Sequence, residues 1–393
     1  MGRQGNWLER HAKKIVFFLV VLIIGGMALV TEKILAYRAQ PNIYYPGIKR
    51  FVKLRESRPL YSDVLIPPPN TMEISDSLVR KGYPFRIDDN GFIMPSKIHV
   101  KPQLTLAFLG GSTTECAYVE EENRFPYLVG RLVEKKTGLR TDSYNAGKAG
   151  NTSLHSLDVL LNKVIPVKPD VAIMMHNVND LAVLIFEKTF WTKNPYRSPL
   201  VEIKPSFKTA MKSIEESFHI MRDLYIPHLS RQLKSFYHYT IGKSVKTDEF
   251  KQARGHKIPV DKHRLVSEFS MNLQMFIDIS RARKITPVLM TMANRLKDDP
   301  DPFILSLERK TVETGTGLNY KDFKELVDLF NQTIREVAAA NNVLVIDLDR
   351  KVPKEKELMY DFVHLNDAGS KYVSDIIAAE LYPIASSLKM QHH

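Results

Sequence analysis

Three side chains, far apart in the chain, have the types that nucleophilic catalysis requires. Ser112 stands in Phe108-Leu109-Gly110-Gly111-Ser112-Thr113-Thr114-Glu115, directly after the apolar run 104–109. That run reads as a buried strand, the two glycines as a sharp turn, and the serine as the start of a helix. A hydroxyl there is exposed at the carboxyl edge of a sheet, where α/β proteins build their sites. The free N–H groups of a helix start face the same point. Far downstream, Tyr360-Asp361-Phe362-Val363-His364-Leu365-Asn366-Asp367-Ala368-Gly369 puts a carboxylate three residues before an imidazole, ahead of a helix capped by Asn366 or Asp367. A turn between them lets Asp361 accept from one ring nitrogen of His364 and leaves the other facing Ser112. Hydroxyl, base and tautomer-fixing acid are the parts of an activated serine. Alone, a Gly-Gly-Ser turn is an ordinary cap and an Asp-x-x-His an ordinary surface turn. Their weight comes from standing together on loops that end strands.

The elements that must position these groups alternate along the chain. A helix is expected through Phe125, Leu128, Val129, Leu132 and Val133, with Gly138 as its stop. Residues 144–153 read as a strand end, a glycine-containing loop and a capped helix. Residues 171–175 form another buried strand, ending on His176-Asn177-Val178-Asn179-Asp180. Two more strands, 285–292 and 343–347, follow amphipathic helices through Leu273, Phe276, Ile277 and Ile279, and through Phe323, Leu326, Val327, Phe330, Ile334 and Val337. Strands alternating with helices predict an α/β domain with a doubly wound, mostly parallel sheet, starting near residue 102. A stretch at about 181–261 breaks the alternation. It holds Phe186, Phe190, Trp191 and Tyr196 and a mostly helical run at about 208–239. A long insertion at a sheet's carboxyl edge reads as a lid or substrate wall, with Phe190, Trp191 and Tyr196 as candidate substrate-binding residues. The competing reading is that these rings only form the lid's own core.

Composition narrows the classes. The 393 residues are 44% apolar and 25% charged, a globular balance. The net charge of +12 comes from scattered basic residues with no nucleic-acid motif, which excludes a nucleic-acid role. One cysteine, Cys116, excludes a disulfide framework and a Cys-based zinc cluster, and reads as a packed thiol. Residues 15–31 carry no charge and follow Arg3, Arg10, Lys13 and Lys14. They predict an uncleaved transmembrane helix closing a 1–31 anchor, with the N-terminus in the cytoplasm and the rest outside. A cleaved signal peptide is the alternative. Residues 32–101 read as a juxtamembrane linker and N-terminal extension: a basic and apolar segment at 48–58, the stiff Pro67-Pro68-Pro69, and strand-turn-strand at 86–92 around Asn90-Gly91.

Taken together, four segments resemble the blocks of the SGNH hydrolases, the GDSL-like lipases and acylhydrolases. They are Ser112 in Leu-Gly-Gly-Ser-Thr, Gly150 in Ala-Gly-Asn-Thr-Ser, Asn179 in Asn-Val-Asn-Asp, and Asp361 with His364 in Asp-Phe-Val-His. Order and spacing match over residues 102–388. The resemblance implies a flavodoxin-like, three-layer α/β/α fold and attack of Ser112 on an ester carbonyl, with His364 as base and Asp361 orienting it. It implies an oxyanion hole of the Ser112 and Gly150 N–H groups and the Asn179 amide, with no metal and no organic cofactor. Gly111 stands where the name-giving motif has Asp, and Asn177 where the third block has Gly. A side chain at 177 is expected to crowd the oxyanion hole or to need a left-handed backbone. The expected function is a membrane-anchored, extracytoplasmic esterase that removes acyl groups, acetyl included, from an envelope glycan or lipid. An O-acyltransferase acting on an exported polysaccharide and a non-catalytic SGNH-like binding subunit are the alternatives.

Overall fold

The computed structural model describes residues 7–38, 49–203 and 258–391, with scattered helical positions between 211 and 229. Five short runs form one parallel sheet: β1 (Leu104–Gly110), β2 (Thr141–Asn145), β3 (Val171–Met175), β4 (Thr286–Met290) and β5 (Leu344–Ile346). They are hydrogen-bonded in the order β2-β1-β3-β4-β5. The order reverses at β1, so a crevice opens outside the carboxyl ends of β1 and β3. In open α/β sheets that switch point is where ligands bind.

Alternate residues of each strand serve two cores. Ala107, Leu109, Ala172, Met174 and Leu289 pack under helices Ser153–Val159, Val178–Glu187, Lys262–Ala282 and Tyr320–Ala340. Leu106, Phe108, Ile173, Met175 and Val288 pack against helices Phe125–Thr137 and Asp367–Gln391. Three layers result, with a helical layer on each face of the sheet. The caps are local: the side chains of Asp261 and Asn319 accept N–H groups of the first turns of their helices, each at 3.0 Å.

Residues 50–101, expected as part of a linker ahead of the domain, belong to the same compact unit as the sheet. Their hairpin pairs Ser62–Leu65 antiparallel with Tyr83–Arg86. Fully buried Arg124 donates to the carbonyls of Pro84 and Met94, both at 2.6 Å. Buried Arg295 binds Asp76 at 2.8 and 2.9 Å and Asp301 at 3.0 Å. The edge strand β2 is also covered from this side. Ile93 N–H donates to Asn145 O, and the carboxylate of Asp142 accepts the N–H groups of Ile98 and His99. An exposed sheet edge is thereby closed to pairing with another chain.

The other unit holds the helix Trp7–Arg38. Its segment His11–Thr31, 21 residues of mean hydropathy 2.5 with none of it buried, is long and apolar enough to cross a membrane.

The insertion expected from 181 begins later. Val178–Glu187 is a helix of the sheet-covering layer, with Leu181 and Leu184 in its core. That helix is apolar almost all round, so it gives no amphipathic period to read. Apart from the scattered positions above, residues 204–257 lie outside the described residues, and with them most of the helical run expected at 208–239.

Candidate functional site

β1 ends at Gly110, and Ser112 opens the single-turn helix Ser112–Glu115. The Ser112 Oγ lies 2.7 Å from His364 Nε2, and His364 Nδ1 lies 2.7 Å from Asp361 Oδ2. The second oxygen of Asp361 accepts the N–H groups of Val363 and His364, both at 2.9 Å. The carboxylate is therefore fixed by its own turn before it meets the imidazole. That turn is closed by Tyr360 N–H on His364 O at 3.0 Å, and Arg295 pins it through Met359 O and Phe362 O. The Tyr360 ring stacks on the imidazole, centroids 5.5 Å apart and planes 7° from parallel. Asn366 caps the following helix by accepting Gly369 N–H at 2.9 Å.

The charges are coupled. Burial pushes the Asp361 carboxyl up, but the His364 charge and the hydrogen bonds from His364 and the Val363 N–H hold it below the usual carboxylate value. Burial pulls His364 down, while the charge and hydrogen bond of Asp361 and the charge of Glu115 hold it above the ordinary histidine value. A hydroxyl, an imidazole and an ordered carboxylate in series can move one proton off the serine and return it to a leaving group. Neighbouring Cys116 is buried, its thiol pushed up to about 12 by burial, so it stays protonated.

Two loops frame the serine. A Cβ on Gly111 would lie 2.6 Å from Asn179 Nδ2, so this glycine makes room for the amide. Asn179 Nδ2 also donates to Asn151 O at 3.0 Å. Gly150 takes φ +78°, a conformation most side chains resist, and its carbonyl accepts from Arg55 and Arg197. The glycine loop is tied to the serine helix by Glu115, which accepts Ala149 N–H at 3.1 Å and Lys148 Nζ at 3.2 Å. It is tied to the Asn179 helix by Asp180, which accepts both the N–H and the hydroxyl of Ser153. Burial pushes Asp180 up to about 7 against those bonds, and pushes the buried His176 beside it down to about 3.

Asn177 does not behave as the sequence leads one to expect. Its backbone is extended, at φ −165°, rather than left-handed. Its amide turns into the core and donates to Val327 O and Asn331 Oδ1, both at 3.0 Å. It is fully buried there and does not crowd the serine.

Ser112 and His364 open into a cavity of about 880 Å3, whose far wall comes from the N-terminal extension, with Glu56, Arg58, Tyr61 and Phe85, and from Tyr118 and Lys148. Among the described residues of the insertion, this lining takes Arg222 but not Phe190, Trp191 or Tyr196. Phe190 is buried in the core at 3% exposure, and Trp191 and Tyr196 lie exposed on the surface, away from this lining. Glu115 and Tyr360 escaped the sequence reading, although each stands in a motif already singled out. The extension carries no catalytic motif. Among the described residues, no group of three His, Cys, Asp or Glu side chains is arranged to hold a metal ion.

The model of the GDSL-like Lipase/Acylhydrolase family matches residues 108–372. Among solved structures the chain is similar to an acetylxylan esterase from Geobacillus stearothermophilus, at 16% identity and a TM-score of 0.39, over 72% of this chain and 96% of that one. It is similar to a lipase/acylhydrolase from Enterococcus faecalis at 16% identity and a TM-score of 0.40, over 71% and 96% of the two chains. No curated protein matches the sequence.

Proposed function

This chain belongs to the GDSL-like lipase/acylhydrolase family and is a serine ester hydrolase; from that premise we propose that Ser112, His364 and Asp361 are its triad and that it acts, membrane-anchored and outside the cytoplasm, on acyl esters of an envelope glycan or lipid. The observation that carries this reading is the relay of two 2.7 Å contacts, Ser112 to His364 and His364 to Asp361, at the switch point of the sheet. The Ser112 Oγ attacks the ester carbonyl carbon while its proton passes to His364 Nε2. Asp361 accepts a hydrogen bond from His364 Nδ1–H, keeps its charge and stabilises the imidazolium. The oxygen that becomes negative is met by the N–H groups of Ser112 and Gly150 and by Asn179 Nδ2. As the tetrahedral species collapses, His364 returns the proton to the leaving alcohol. Water then repeats the sequence on the acyl-serine, releasing the acid.

Oxyanion donors act only where charge develops, and each is worth about 2.7–4 kcal/mol there. Asn179→Ala is therefore expected to lower kcat roughly 100- to 1,000-fold with KM nearly unchanged. Steady-state kinetics on a small ester measure this, and a variant within threefold of wild type removes Asn179 from the hole.

The apolar segment His11–Thr31, with basic residues ahead of it, supports anchoring in the inner membrane with the domain on the far side. One experiment tests activity and topology together. Spheroplasts displaying the chain are treated with a fluorophosphonate probe, then with external protease, and ester hydrolysis is assayed with and without a glycan acceptor. Labelling at Ser112 followed by loss of the labelled domain is expected. Labelling elsewhere ends the triad assignment, and protection until lysis ends the orientation. Acyl loss that needs the acceptor makes the enzyme a transferase.

A further inference from the structure

A second cavity, about 340 Å3, shares Ile74, Asp361 and His364 with the one that holds Ser112. The His–Asp pair is thus a partition between two chambers, both within the roughly 300–1,000 Å3 range of small-molecule pockets. Their linings differ in chemistry. The larger chamber presents Glu56, Arg58, Tyr61 and Lys148. In the smaller one, Val178, Ala182 and Phe186 stand at i, i+4 and i+8 along one face of the helix Val178–Glu187, all half-buried, opposite Leu307, Val312 and Phe323. Its two threonines offer nothing to a ligand: Thr311 Oγ1 donates to Leu307 O at 2.7 Å and Thr316 Oγ1 to Val312 O at 2.8 Å. Its one carboxylate, Asp361, is already committed to His364 and to the Val363 and His364 N–H groups. A sugar placed there would find few partners for its hydroxyls, and covering a hydroxyl without one is costly.

The chamber also adjoins the catalytic groups, with His364 and Asp361 in its lining. Val178, in its wall, directly precedes Asn179, whose amide lies against the Gly111–Ser112 turn. We propose that this apolar chamber receives the hydrocarbon chain of the acyl group, so that the preferred ester is that of a medium-chain fatty acid rather than of acetic acid. The larger chamber, whose lining mixes Glu56, Arg58 and Lys148 with Leu65, Phe85 and Leu365, then holds the alcohol half of the ester. The inference rests on the triad reading above, since it takes the carbonyl to sit between Ser112 and Asn179.

The test uses the full-length protein in detergent and p-nitrophenyl esters from acetate to decanoate. Each methylene entering an apolar chamber adds roughly fourfold, so kcat/KM for octanoate is expected to exceed that for acetate by about 100-fold or more. Ala182→Phe fills the chamber from its helix wall, and Val312→Trp fills it from the opposite side. Each is expected to lower the octanoate-to-acetate ratio of kcat/KM at least tenfold. A wild-type profile that is flat or falls with chain length overturns the proposal, without needing either variant to fold. So does an equal loss on both esters in the folded variants. Fluorophosphonate labelling of Ser112 separates the two levels: labelling with acetate as the best ester overturns only the acyl chamber, whereas no labelling and no hydrolysis of any ester overturns the triad and the chamber with it.

Discussion

Replacing Ser112 by alanine is expected to lower kcat for ester hydrolysis ten-thousand- to million-fold while leaving the fold intact. The size of the loss follows from the role: without the hydroxyl no acyl-enzyme forms, and His364 has no serine proton to take. What survives is the contribution of the oxyanion donors and of binding to attack by water. The small effect on stability follows from the position. Ser112 is half-buried at the mouth of a cavity, and its hydroxyl partner is the half-exposed His364 rather than a core group. Losing that one bond is worth about 1 kcal/mol at most, because water can replace it. Turnover of a p-nitrophenyl ester and the melting temperature measure the two halves of this expectation. Near-wild-type turnover in a variant of normal stability would end the triad assignment.

The catalytic segments were legible because each is short, local and placed by the element before it. β1, apart from Thr105, and β3 are apolar runs buried on both faces, and such strands announce themselves. β2 does not. Thr141-Asp142-Ser143-Tyr144-Asn145 is polar, yet every residue of it is buried. Several of its side chains find partners distant in sequence, as where one oxygen of Asp142 accepts the N–H groups of Ile98 and His99. Residues 32–101 read as a juxtamembrane linker and N-terminal extension, not as part of the sheet's unit, for the same reason. Arg124 and Arg295 look like surface charges in the sequence but are buried and bind the extension by hydrogen bonds reaching 30 to 219 residues away. Asn177 shows the limit most clearly. Its neighbours in sequence suggest strain, whereas its amide nitrogen donates to Val327 O and Asn331 Oδ1, 150 and 154 residues on. No local pattern reports such a partner.

The same long-range ties explain how loops can hold a site steady. Each segment that frames Ser112 is gripped by a carboxylate from another: Glu115 holds Ala149, and Asp180 holds Ser153. The acids stand three residues after Ser112 and one after Asn179, so they move with the groups proposed to react. A shift of the glycine loop relative to either helix must break a hydrogen bond to a buried carboxylate, which costs more than breaking a neutral pair. The geometry of the crevice is thus set by buried carboxyl groups as much as by the sheet beneath it.

Asp361→Asn is expected to lower kcat about ten-thousand-fold and to move the acid limb of the pH profile. The Asp361 Oδ1 atom accepts two backbone N–H groups, and an asparagine oxygen can keep both. The amide nitrogen then replaces the oxygen that faces His364 Nδ1 at 2.7 Å. An amide N–H can only donate, so His364 must accept on Nδ1 and carry its proton on Nε2, facing Ser112. In that tautomer the imidazole cannot take the serine proton. The pH dependence has a definite sign. His364 works as a base only when neutral, and the charge of Asp361 holds its pKa above the ordinary 6.5. Activity of the wild type is therefore expected to fall, as pH is lowered, through a value above 6.5. Removing that charge lowers the pKa, so the residual activity of the variant persists to lower pH, although Glu115 still contributes in the same direction as Asp361 did. Profiles of kcat/KM against pH, which report the free enzyme, test both halves. A variant within tenfold of wild type, or one whose acid limb stays in place, would mean that Asp361 does not set the state of His364.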